Sequence, residues 1–344
     1  MTAKPTILLA MPTTNGIYRL VEDNLRYLGF NVYSAAYDPR PRHYVYPNLW
    51  LRLRVKWKRL LGDKSAKQTL FQQWMITNLF RQLDGYPDFD YALFIRSDIY
   101  PVEFIEKVKE KTRFATVAYQ WDGMQRFADI DNRIALFDRF YAFDKADQKN
   151  RENLLFTTNF YFSHNLSEKM PETSDCYFTG SHEISRSHSI NAFANFAQEQ
   201  GWKLDFNMLW FGSEHEGRQF YTNQNIRFIN EIMDFSENLK RAKQSKVLVD
   251  FVIGEHSGLS FRTFEALGYR KKLITTNPSV ADYDFYHPNN ILIWDEKNFA
   301  ALKDFINKPY HELPPAIYKK YSFTNWINTL LEIEPYQPIT IENK

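Results

Sequence analysis

The chain has 344 residues, more than the roughly 250–300 at which a single hydrophobic core stops growing, so its length predicts two domains. Apolar residues make up 44% of the chain, enough for a sizeable core, and the formal net charge of +2 argues against binding nucleic acid over the whole surface. The one cysteine, Cys176, excludes a disulfide within the chain and a cysteine-rich zinc site.

The first half of the sequence alternates between predicted strands and predicted helices. Apolar runs predict the strands, and amphipathic stretches that begin with proline or end with glycine predict the helices. The predicted elements are a strand at 6–12, a turn at 13–16, a helix at 17–29, a strand at 30–37, a strand at 91–98, a helix at 101–111, and strands at 114–122 and 139–147. This alternation predicts a parallel sheet that is covered by helices on both faces.

Basic and apolar residues alternate in the segment LWLRLRVKWKRL, at positions 49–60. The pattern fits a strand with one solvent-exposed face, and it also fits a basic segment that contacts anionic lipid or an acidic partner. The apolar run near the N-terminus is too short for a signal-peptide core or a membrane span. We therefore expect a cytoplasmic protein, and residues 49–60 are its candidate contact with the inner face of the membrane.

A second series of elements follows the polar, proline-containing stretch at 170–175, which we interpret as a linker. Its predicted strands lie at 176–182, 203–212, 246–254, 271–277 and 290–295, and its predicted helices at 189–201, 236–245 and 297–307, with one more after Ser257. The predicted fold class is α/β, with two doubly wound, Rossmann-like domains that face each other across a cleft. We place the domains at residues 1–170 and 171–317, followed by a C-terminal segment at 318–344.

Loops that follow the strands are the expected binding sites, because open parallel sheets bind ligands beyond the carboxyl ends of their strands. The glycine patterns of dinucleotide-binding sites and of P-loops do not occur in the sequence. In the loop FTGSHEISR, Gly180 allows the backbone to approach a ligand closely, and Arg186 supplies a positive charge. This loop predicts either a phosphate site or a tight turn with a surface arginine.

In the stretch SGLSFRTFEALGYRKKLITTN, two charged residues, Arg262 and Glu265, interrupt the mostly apolar part that precedes the basic turn at 270–272. Ser257 and Gly258 can begin a helix whose free N–H groups face an anion. Apolar residues spaced three apart predict one buried face, which leaves Glu265 at the cleft edge. There its carboxylate can bind two ribose hydroxyls while Arg262 reaches the phosphates. The alternative is that the two charges pair with each other on a solvated face.

A longer string in this stretch resembles a known family. Gly258-Leu259-x-x-Arg262-x-Phe264-Glu265-Ala266-Leu267, followed by the strand KLITTN, resembles the C-terminal nucleotide-sugar-binding motif of group-1 glycosyltransferases with the GT-B fold. It is most similar to the CgeB-like branch and to bacterial lipopolysaccharide and capsule glycosyltransferases. The segment SENLKRAKQSKVLVDF is similar to the family's preceding helix and strand, and CYFTGSHEISR resembles the glycine loop of its donor domain. The resemblance covers residues 174–300.

The resemblance implies roles for the matching residues. Glu265 would bind the donor ribose, backbone amides of Gly258 and Leu259 would bind the diphosphate, and Gly180 would lie beside it. The C-terminal segment would cross back to the first domain. The other residues of the predicted donor site are Ser181, His182, Arg186, Ser257 and Arg262. Many retaining members carry two glutamates at a shorter spacing than Glu255 and Glu265, so a sugar-contacting role for Glu255 and the stereochemistry both stay open.

A general base for an inverting reaction is expected on the first domain's side of the cleft. Asp122 follows a predicted strand and precedes Gly123, so its carboxylate is the first candidate, and Asp98 is the second. Both aspartates have an alternative role as helix caps. His256 lies beside the predicted phosphate site and is a third candidate, against the alternative of a surface histidine.

Asp-x-Asp pairs hold a divalent cation in metal-dependent glycosyltransferases of the other fold. The sequence has three such pairs, Asp88/Asp90, Asp129/Asp131 and Asp282/Asp284. The first precedes its strand and the others fall at a helix start and in a loop, so we interpret all of them as caps and turns. We predict no metal site, because a helix dipole and arginines can stabilise the leaving diphosphate. We also predict no cofactor, the nucleotide sugar being a substrate.

These features predict a glycosyltransferase that moves a sugar from a nucleotide-sugar donor to a glycan or lipid-linked acceptor in bacterial surface polysaccharide synthesis. Its expected partners are the donor and the acceptor, and no nucleic acid. A second hypothesis is a nucleotide-sugar epimerase or hydrolase of the same fold, which would turn over its substrate without an acceptor. A third is a non-catalytic sugar-binding subunit of a synthesis complex, which saturable binding of a nucleoside diphosphate would argue against.

Overall fold

Two parallel six-stranded sheets form within the residues that the computed structural model describes, which are 4–40, 45–164, 166, 168, 170–253 and 257–341. The strands are β1 (Thr6–Ala10), β2 (Asn31–Ser34), β3 (Phe89–Ile95), β4 (Thr112–Gln120), β5 (Arg139–Ala142), β6 (Leu154–Phe156), β7 (Ser174–Ser181), β8 (Leu204–Leu209), β9 (Ile226–Ile229), β10 (Ser245–Asp250), β11 (Lys272–Thr275) and β12 (Ile291–Ile293). The first sheet has the order β2-β1-β3-β4-β5-β6 and the second the order β12-β11-β10-β7-β8-β9. Every adjacent pair in these orders is parallel.

Helices connect the strands and cover the sheets. They are α1 (Ile17–Tyr27), α2 (Leu49–Leu60), α3 (Ala66–Asp84), α4 (Val102–Glu110), α5 (Asp131–Ile134), α6 (Ile184–Glu199), α7 (Glu214–Phe220), α8 (Phe235–Lys243), α9 (Phe261–Tyr269), α10 (Phe299–Asn307), α11 (Pro315–Lys320) and α12 (Phe323–Leu331). Single turns of 3-10 helix lie at Thr14–Gly16, Ser97–Ile99, Met124–Arg126, Lys145–Gln148 and Pro278–Asp282.

The first sheet is buried on both faces, which explains why its strands are continuous apolar runs. In β1, Ile7 and Leu9 pack into one hydrophobic cluster, whereas Leu8 and Ala10 pack into another on the opposite face. Side chains of a strand alternate between the two faces of its sheet, so both faces need apolar residues.

The C-terminal helices return to the first sheet. The ring of Trp326 in α12 lies 5.1 Å from the ring of Tyr119 in β4. The backbone N–H of Tyr161 donates to the carbonyl of Tyr321 at 3.2 Å, and the N–H of Phe323 donates to the carbonyl of Tyr161 at 2.8 Å. These contacts tie the end of the chain to the segment that leads from the first sheet to the second.

Residues 49–60 form the helix α2, so the strand alternative for this segment is wrong. The helix begins after Asn48, whose side-chain oxygen accepts a hydrogen bond from the N–H of Leu51 at 2.9 Å. Val55 is its one buried residue, so the alternation of apolar and basic residues does not separate a buried face from a wet one. The segment is therefore a surface helix.

Several other elements were not predicted. The helix α3 has a buried face in which Phe71, Met75, Leu79 and Leu83 recur every four residues. The strands β6 and β9 are short and lie at sheet edges, and α7 follows β8 where a loop is predicted. Among the described residues, no helix is both long enough and apolar enough to cross a membrane.

Candidate functional site

A cavity of about 300 Å³ lies beyond the carboxyl ends of β7, β8, β9 and β10. The chain runs from β7 through β8 to β9 and then continues with β10 on the other side of β7. The cavity therefore opens at the point where the strand order reverses, which is where open α/β sheets bind ligands. Its described lining is Asn15, Phe178, Thr179, Gly180, Ser181, Arg186, Leu209, Ile229, Ile232, Met233, Phe235, Asn238, Val249, Asp250, Ser260, Phe261, Arg262 and Glu265.

Glu265 belongs to a hydrogen-bonded group in the wall of this cavity. Its Oε1 accepts a hydrogen bond from Nδ2 of Asn238 at 3.0 Å, and its Oε2 lies 3.6 Å from Nε of Arg262. The Oδ1 of Asn238 accepts from the Tyr177 hydroxyl at 3.0 Å and from Nη2 of Arg262 at 3.3 Å. Glu265 is only 3% exposed, so it is buried in the wall and does not lie at an open cleft edge as expected.

Burial and ion pairing shift the pKa of the Glu265 carboxyl group in opposite directions. Burial raises the pKa of Glu265, while the charge of Arg262 and the hydrogen bond from Asn238 lower it, and the net shift is upward. The pairing of Arg262 with Glu265 that the spacing allows is present. It occurs inside the cavity wall, however, and not on a solvated face.

Several buried polar atoms of the cavity wall have no hydrogen-bond partner in the described protein. They are Oε2 of Glu265, Nη1 of Arg262, Nε of Arg186 and Oδ1 of Asn15. A buried polar group without a partner costs about 1–3 kcal/mol, so a wall with several of them is destabilising unless water or a ligand supplies the missing bonds. The free atoms include both acceptors and cationic donors. They therefore fit a ligand that has hydroxyl groups and negative charge.

Arg186 spans the carboxyl ends of β7 and β10. Its Nη1 donates to the carbonyl of Phe251 at 3.0 Å, its Nη2 donates to the carbonyl of Ser181, and burial lowers its pKa. A Cβ atom at Gly180 would lie 2.7 Å from Nη2 of Arg186, so only glycine leaves room for the guanidinium. Gly180, Ser181 and Arg186 all line the cavity, and the surface-arginine alternative is wrong because Arg186 is buried.

The helix α9 begins at Phe261, not at Ser257. Its N-cap residue is Ser260, whose hydroxyl donates to Oδ1 of Asp250 at 3.0 Å. Ser260, Phe261 and Arg262 line the cavity, so the free N–H groups of the first turn lie at its wall. The helix N-terminus predicted for this site is therefore formed by residues three positions further along the chain.

The segment that precedes α9 contacts the first domain. Asp144 accepts hydrogen bonds from the backbone N–H of Ser257 at 2.7 Å and from its hydroxyl at 2.8 Å. A Cβ atom at Gly258 would lie 2.5 Å from the ring of Phe143, and the carbonyl of Leu259 accepts from a side chain of the first domain. Ser257, Gly258 and Leu259 are absent from the described cavity lining, and the amide of Ser257 is already bonded to a carboxylate.

His182 does not line the described cavity. Nδ1 of His182 lies 2.9 Å from the hydroxyl of Tyr221, and its ring packs against Trp210 and Phe220. Burial lowers the pKa of His182, which favours a neutral ring. The other two predicted residues of this region, Glu255 and His256, lie outside the described residues.

Asp98 and Asp122 lie together at the carboxyl edge of the first sheet. Arg96, at the end of β3, donates from Nε and Nη2 to Asp98 at 2.7 Å each and from Nη1 to Asp122 at 3.1 Å. Arg96 has a φ angle of 64°, a left-handed conformation that is unfavourable for a residue with a side chain. The guanidinium lies 4.1 Å from the ring centre of Phe127. Both candidate bases are therefore partners of one arginine.

The Asp-x-Asp pairs lie away from the cavity. Asp90 accepts from Thr6 at the amino edge of the first sheet, Asp131 pairs with Arg151, and Asp284 accepts from Tyr321. Within the described residues, no group of three or more His, Cys, Asp and Glu side chains has the arrangement of a metal site.

Five polar residues of the described cavity lining were not predicted from the sequence: Asn15, Thr179, Asn238, Asp250 and Ser260. Asn238 lies on the buried face of α8 together with Phe235, Leu239 and Ala242, and an asparagine at an apolar position of a helix is a signal of a buried polar contact. Asn15 lies in the loop after β1, which was predicted as a turn, and it has a left-handed φ angle of 55°.

Comparison with solved structures shows similarity at the level of fold. An alpha-glucosyltransferase in complex with UDP-glucose and DNA containing an abasic site matches with a TM-score of 0.57 and 11% identity, over 91% of this chain and 92% of that chain. The alpha-glucosyltransferase in complex with UDP matches with a TM-score of 0.55, 11% identity and the same coverage. A protein from Listeria monocytogenes, described as a UDP-N-acetylglucosamine 2-epimerase, matches with a TM-score of 0.50 and 10% identity, over 99% of this chain and 100% of that chain.

The chain has the GT-B fold. The fold class predicted from the sequence, two Rossmann-like α/β domains with parallel sheets, is thereby confirmed. No protein-family model matches the sequence, and no curated protein matches it.

Proposed function

We propose that this GT-B protein is a glycosyltransferase that uses a nucleotide-sugar donor. The observation that carries the proposal is the group of unpartnered buried atoms in the cavity wall, Oε2 of Glu265, Nη1 of Arg262 and Nε of Arg186. A nucleoside diphosphate has ribose hydroxyls that donate hydrogen bonds and phosphate oxygens that accept them. It therefore supplies both kinds of missing partner in one molecule.

We assign the ribose to Glu265 and the diphosphate to the cationic side of the cavity. The diphosphate would lie against Arg262 and the N-terminal turn of α9, where the helix dipole favours an anion. Arg186 and the backbone beside Gly180 lie on the same wall. This arrangement stabilises negative charge on the leaving diphosphate with fixed donors, which is why no metal ion is included in the proposal.

Fold similarity supports the choice of donor to test first. The similar alpha-glucosyltransferase was solved with UDP-glucose, and the similar Listeria protein is named for a UDP-linked sugar. UDP-linked sugars are therefore the first candidates for this cavity.

The finer proposal concerns the acceptor and the process. The motif around Arg262 and Glu265 resembles that of CgeB-like and of lipopolysaccharide and capsule glycosyltransferases, so we propose a glycan or lipid-linked acceptor in bacterial surface polysaccharide synthesis. We place the reaction in the cytoplasm, at the inner face of the membrane. The similar alpha-glucosyltransferase was solved with DNA, but a net charge of +2 does not favour a nucleic-acid acceptor here.

A nucleotide-sugar epimerase or hydrolase is the alternative, favoured by the fold similarity to the Listeria protein over 99% of this chain. Such an enzyme would convert the nucleotide sugar without any acceptor. A non-catalytic sugar-binding subunit is the third possibility, and it would retain the fold without saturable donor binding.

A thermal-shift screen with UDP-, GDP-, CMP- and ADP-linked sugars tests the proposed donor class. A ligand at 100 times its dissociation constant stabilises a protein by about 2.7 kcal/mol, so one series should raise the melting temperature clearly above the others. No shift with any nucleotide sugar or nucleoside diphosphate would count against a donor site. A shift together with consumption of the donor in the absence of acceptor would favour the epimerase or hydrolase.

Donor affinity should decrease as the pH is lowered, because the ionised form of Glu265 is the form that accepts two ribose hydroxyls. Burial raises the pKa of Glu265 above that of an ordinary glutamate, so the decrease should begin at a higher pH than for an exposed carboxylate. Calorimetry with UDP-glucose over a series of pH values measures the effect, because the diphosphate diester itself does not titrate in this range. Glu265→Gln should bind weakly and independently of pH, and an equal pH profile in this variant would contradict the assignment.

Sugar transfer should survive EDTA. The proposed site stabilises the diphosphate with Arg262, Arg186 and the N-terminus of α9, and the Asp-x-Asp pairs lie elsewhere. Activity is measured after dialysis against EDTA, with and without added Mg²⁺ or Mn²⁺. Complete loss that either cation restores would overturn the metal-free mechanism.

A further inference from the structure

The helix α2 exposes an unusually apolar surface. Trp50 is 81% exposed, Trp57 is 66% exposed and Leu61, just after the helix, is 82% exposed. Leu49, Leu53 and Leu60 are also exposed on this helix. At about 100° per residue these side chains form one continuous stripe, which faces away from the buried Val55. An exposed stripe of this size on a soluble domain marks an interaction surface.

Basic residues flank the stripe on both sides. By the same helical spacing, Arg54 and Lys58 lie along one edge of it, and Arg52, Lys56 and Arg59 lie along the other. All of them are exposed, and no acidic residue occurs from Val45 to Gly62. The helix therefore combines an outward apolar face with unbalanced positive charge.

The position of α2 places this surface at the carboxyl edge of the first sheet. The chain must return from the carboxyl end of β2 to the amino end of β3, and α3 makes this return. Val55 lines one small cavity together with Ala66 and Leu70, so α2 packs on the first turns of α3, at the carboxyl edge. Asp98 and Asp122 lie at the same edge.

We propose that α2 is a docking surface for an anionic lipid bilayer. Tryptophan and leucine side chains insert at the boundary between headgroups and acyl chains, while flanking lysines and arginines bind lipid phosphates. A nucleic acid would satisfy the basic residues but would leave Trp50, Trp57 and Leu61 in water, so the apolar stripe favours the bilayer. Bound this way, the protein presents the carboxyl edge of its first domain close to the lipid surface.

Co-sedimentation with vesicles of phosphatidylcholine and phosphatidylglycerol tests the surface. We expect the wild-type protein to bind these vesicles and to remain largely unbound with pure phosphatidylcholine. Trp50→Ser with Trp57→Ser should lower partitioning by at least about tenfold, because insertion depends on buried apolar area. Arg52→Ser, Arg54→Ser, Lys56→Ser and Lys58→Ser together should lower it by at least about a hundredfold, since each basic residue near an anionic surface is worth about a fivefold change.

Matched variants on other surfaces serve as controls. Lys107→Ser, Lys149→Ser, Lys240→Ser and Lys303→Ser remove the same charge from exposed positions, and Phe114→Ser with Ile184→Ser removes exposed apolar residues. Both controls should bind vesicles like the wild type. Circular dichroism verifies that each variant is folded.

Three outcomes would overturn the proposal. The first is that the wild-type protein stays in the supernatant with anionic vesicles. The second is that the charge control loses vesicle binding as much as the α2 charge variant does. The third is that neither α2 variant changes vesicle binding, while the protein binds duplex DNA tightly and the tryptophan variant retains that DNA binding. Vesicle binding is measured without donor or acceptor. Its failure would therefore leave the proposed sugar transfer untouched, and loss of donor binding would leave the docking surface untouched.

Discussion

Glu265→Ala is expected to weaken binding of the nucleotide-sugar donor by roughly 10- to 150-fold. This corresponds to about 1.5–3 kcal/mol, the usual cost of losing hydrogen bonds to a charged group. The expectation depends on Oε2 of Glu265, which is buried in the cavity wall, lies 3.6 Å from Nε of Arg262 and has no hydrogen-bond partner in the described protein. Isothermal titration calorimetry with the donor identified by the thermal-shift screen measures the change.

The control for this experiment is a carboxylate nearby that does not reach the cavity. Glu237 lies on α8 next to Asn238, and its Oε1 accepts from Nε of Arg241 at 2.8 Å. Glu237→Ala removes a carboxylate of the same kind, so it should leave donor affinity unchanged. A Glu265→Ala protein that binds the donor as tightly as Glu237→Ala would remove the ribose assignment while leaving the fold assignment intact.

Glu265→Ala also affects Arg262, because removing one member of a buried ion pair leaves the charge of the other uncompensated. Arg262 would lose the carboxylate at 3.6 Å but would keep Asn238 and the ring of Tyr177, 4.8 Å from its guanidinium carbon. A melting curve of each variant without ligand therefore accompanies the titration. A weakened donor affinity supports the binding of the ribose by Glu265 only if the variant is folded at the temperature of the titration.

The sequence predicts well those elements whose buried residues follow a simple pattern along the chain. The strands β1 and β10 are apolar runs because parallel sheets are covered on both faces. In α9 the consecutive residues 263–267 are all buried, so the three-residue spacing of Phe261, Phe264 and Leu267 does not mark out its buried face. The helix α2 has no such pattern of buried residues, because almost all of its side chains are exposed. Its apolar residues therefore carry no information about a core, and their alternation with basic residues does not indicate a strand.

The candidate site was predictable where its residues are neighbours in the sequence. Arg262 and Glu265 lie one helical turn apart, and Gly180 near the end of β7 is only six positions before Arg186 in the first turn of α6. The other features of the site depend on contacts between residues that are distant in the sequence. Asp144, in the first domain, accepts hydrogen bonds from the amide and the hydroxyl of Ser257, and α9 begins at Phe261; no local sequence pattern indicates either feature.

Asp122 is the residue for which a single substitution should have the largest effect on catalysis. It follows β4 at the carboxyl edge of the first sheet, and the ring of its neighbour Trp121 lies 6.1 Å from the ring of Phe261 at the start of α9. Its side chain is 32% exposed, so an acceptor hydroxyl can approach it. The sequence-based prediction of this position is therefore compatible with a role at the cleft, and the role itself is still to be tested.

Asp122→Asn should lower turnover by about 10²–10⁴-fold if Asp122 deprotonates the acceptor hydroxyl, because this is the usual contribution of a positioned general base. Donor affinity should stay nearly unchanged, since Asp122 does not line the described donor cavity. Steady-state kinetics with an acceptor that supports wild-type turnover, together with donor titration, separate the two quantities.

If the role of Asp122 is purely structural, its substitution should affect only the salt bridges that it makes. Asp98 holds two of the three nitrogens of Arg96, so the guanidinium stays anchored when Asp122 becomes asparagine. Asp122 pairs with Arg96 at 3.1 Å and with Arg126 at 3.8 Å, and the loss of these partly exposed ion pairs costs about 0–1 kcal/mol of stability each and leaves the chemistry intact. Near-wild-type turnover in Asp122→Asn would therefore exclude the base role. A large loss in Asp98→Asn instead would transfer that role to Asp98, and full activity in both variants would favour a retaining mechanism, in which no protein carboxylate at this edge needs to accept the proton.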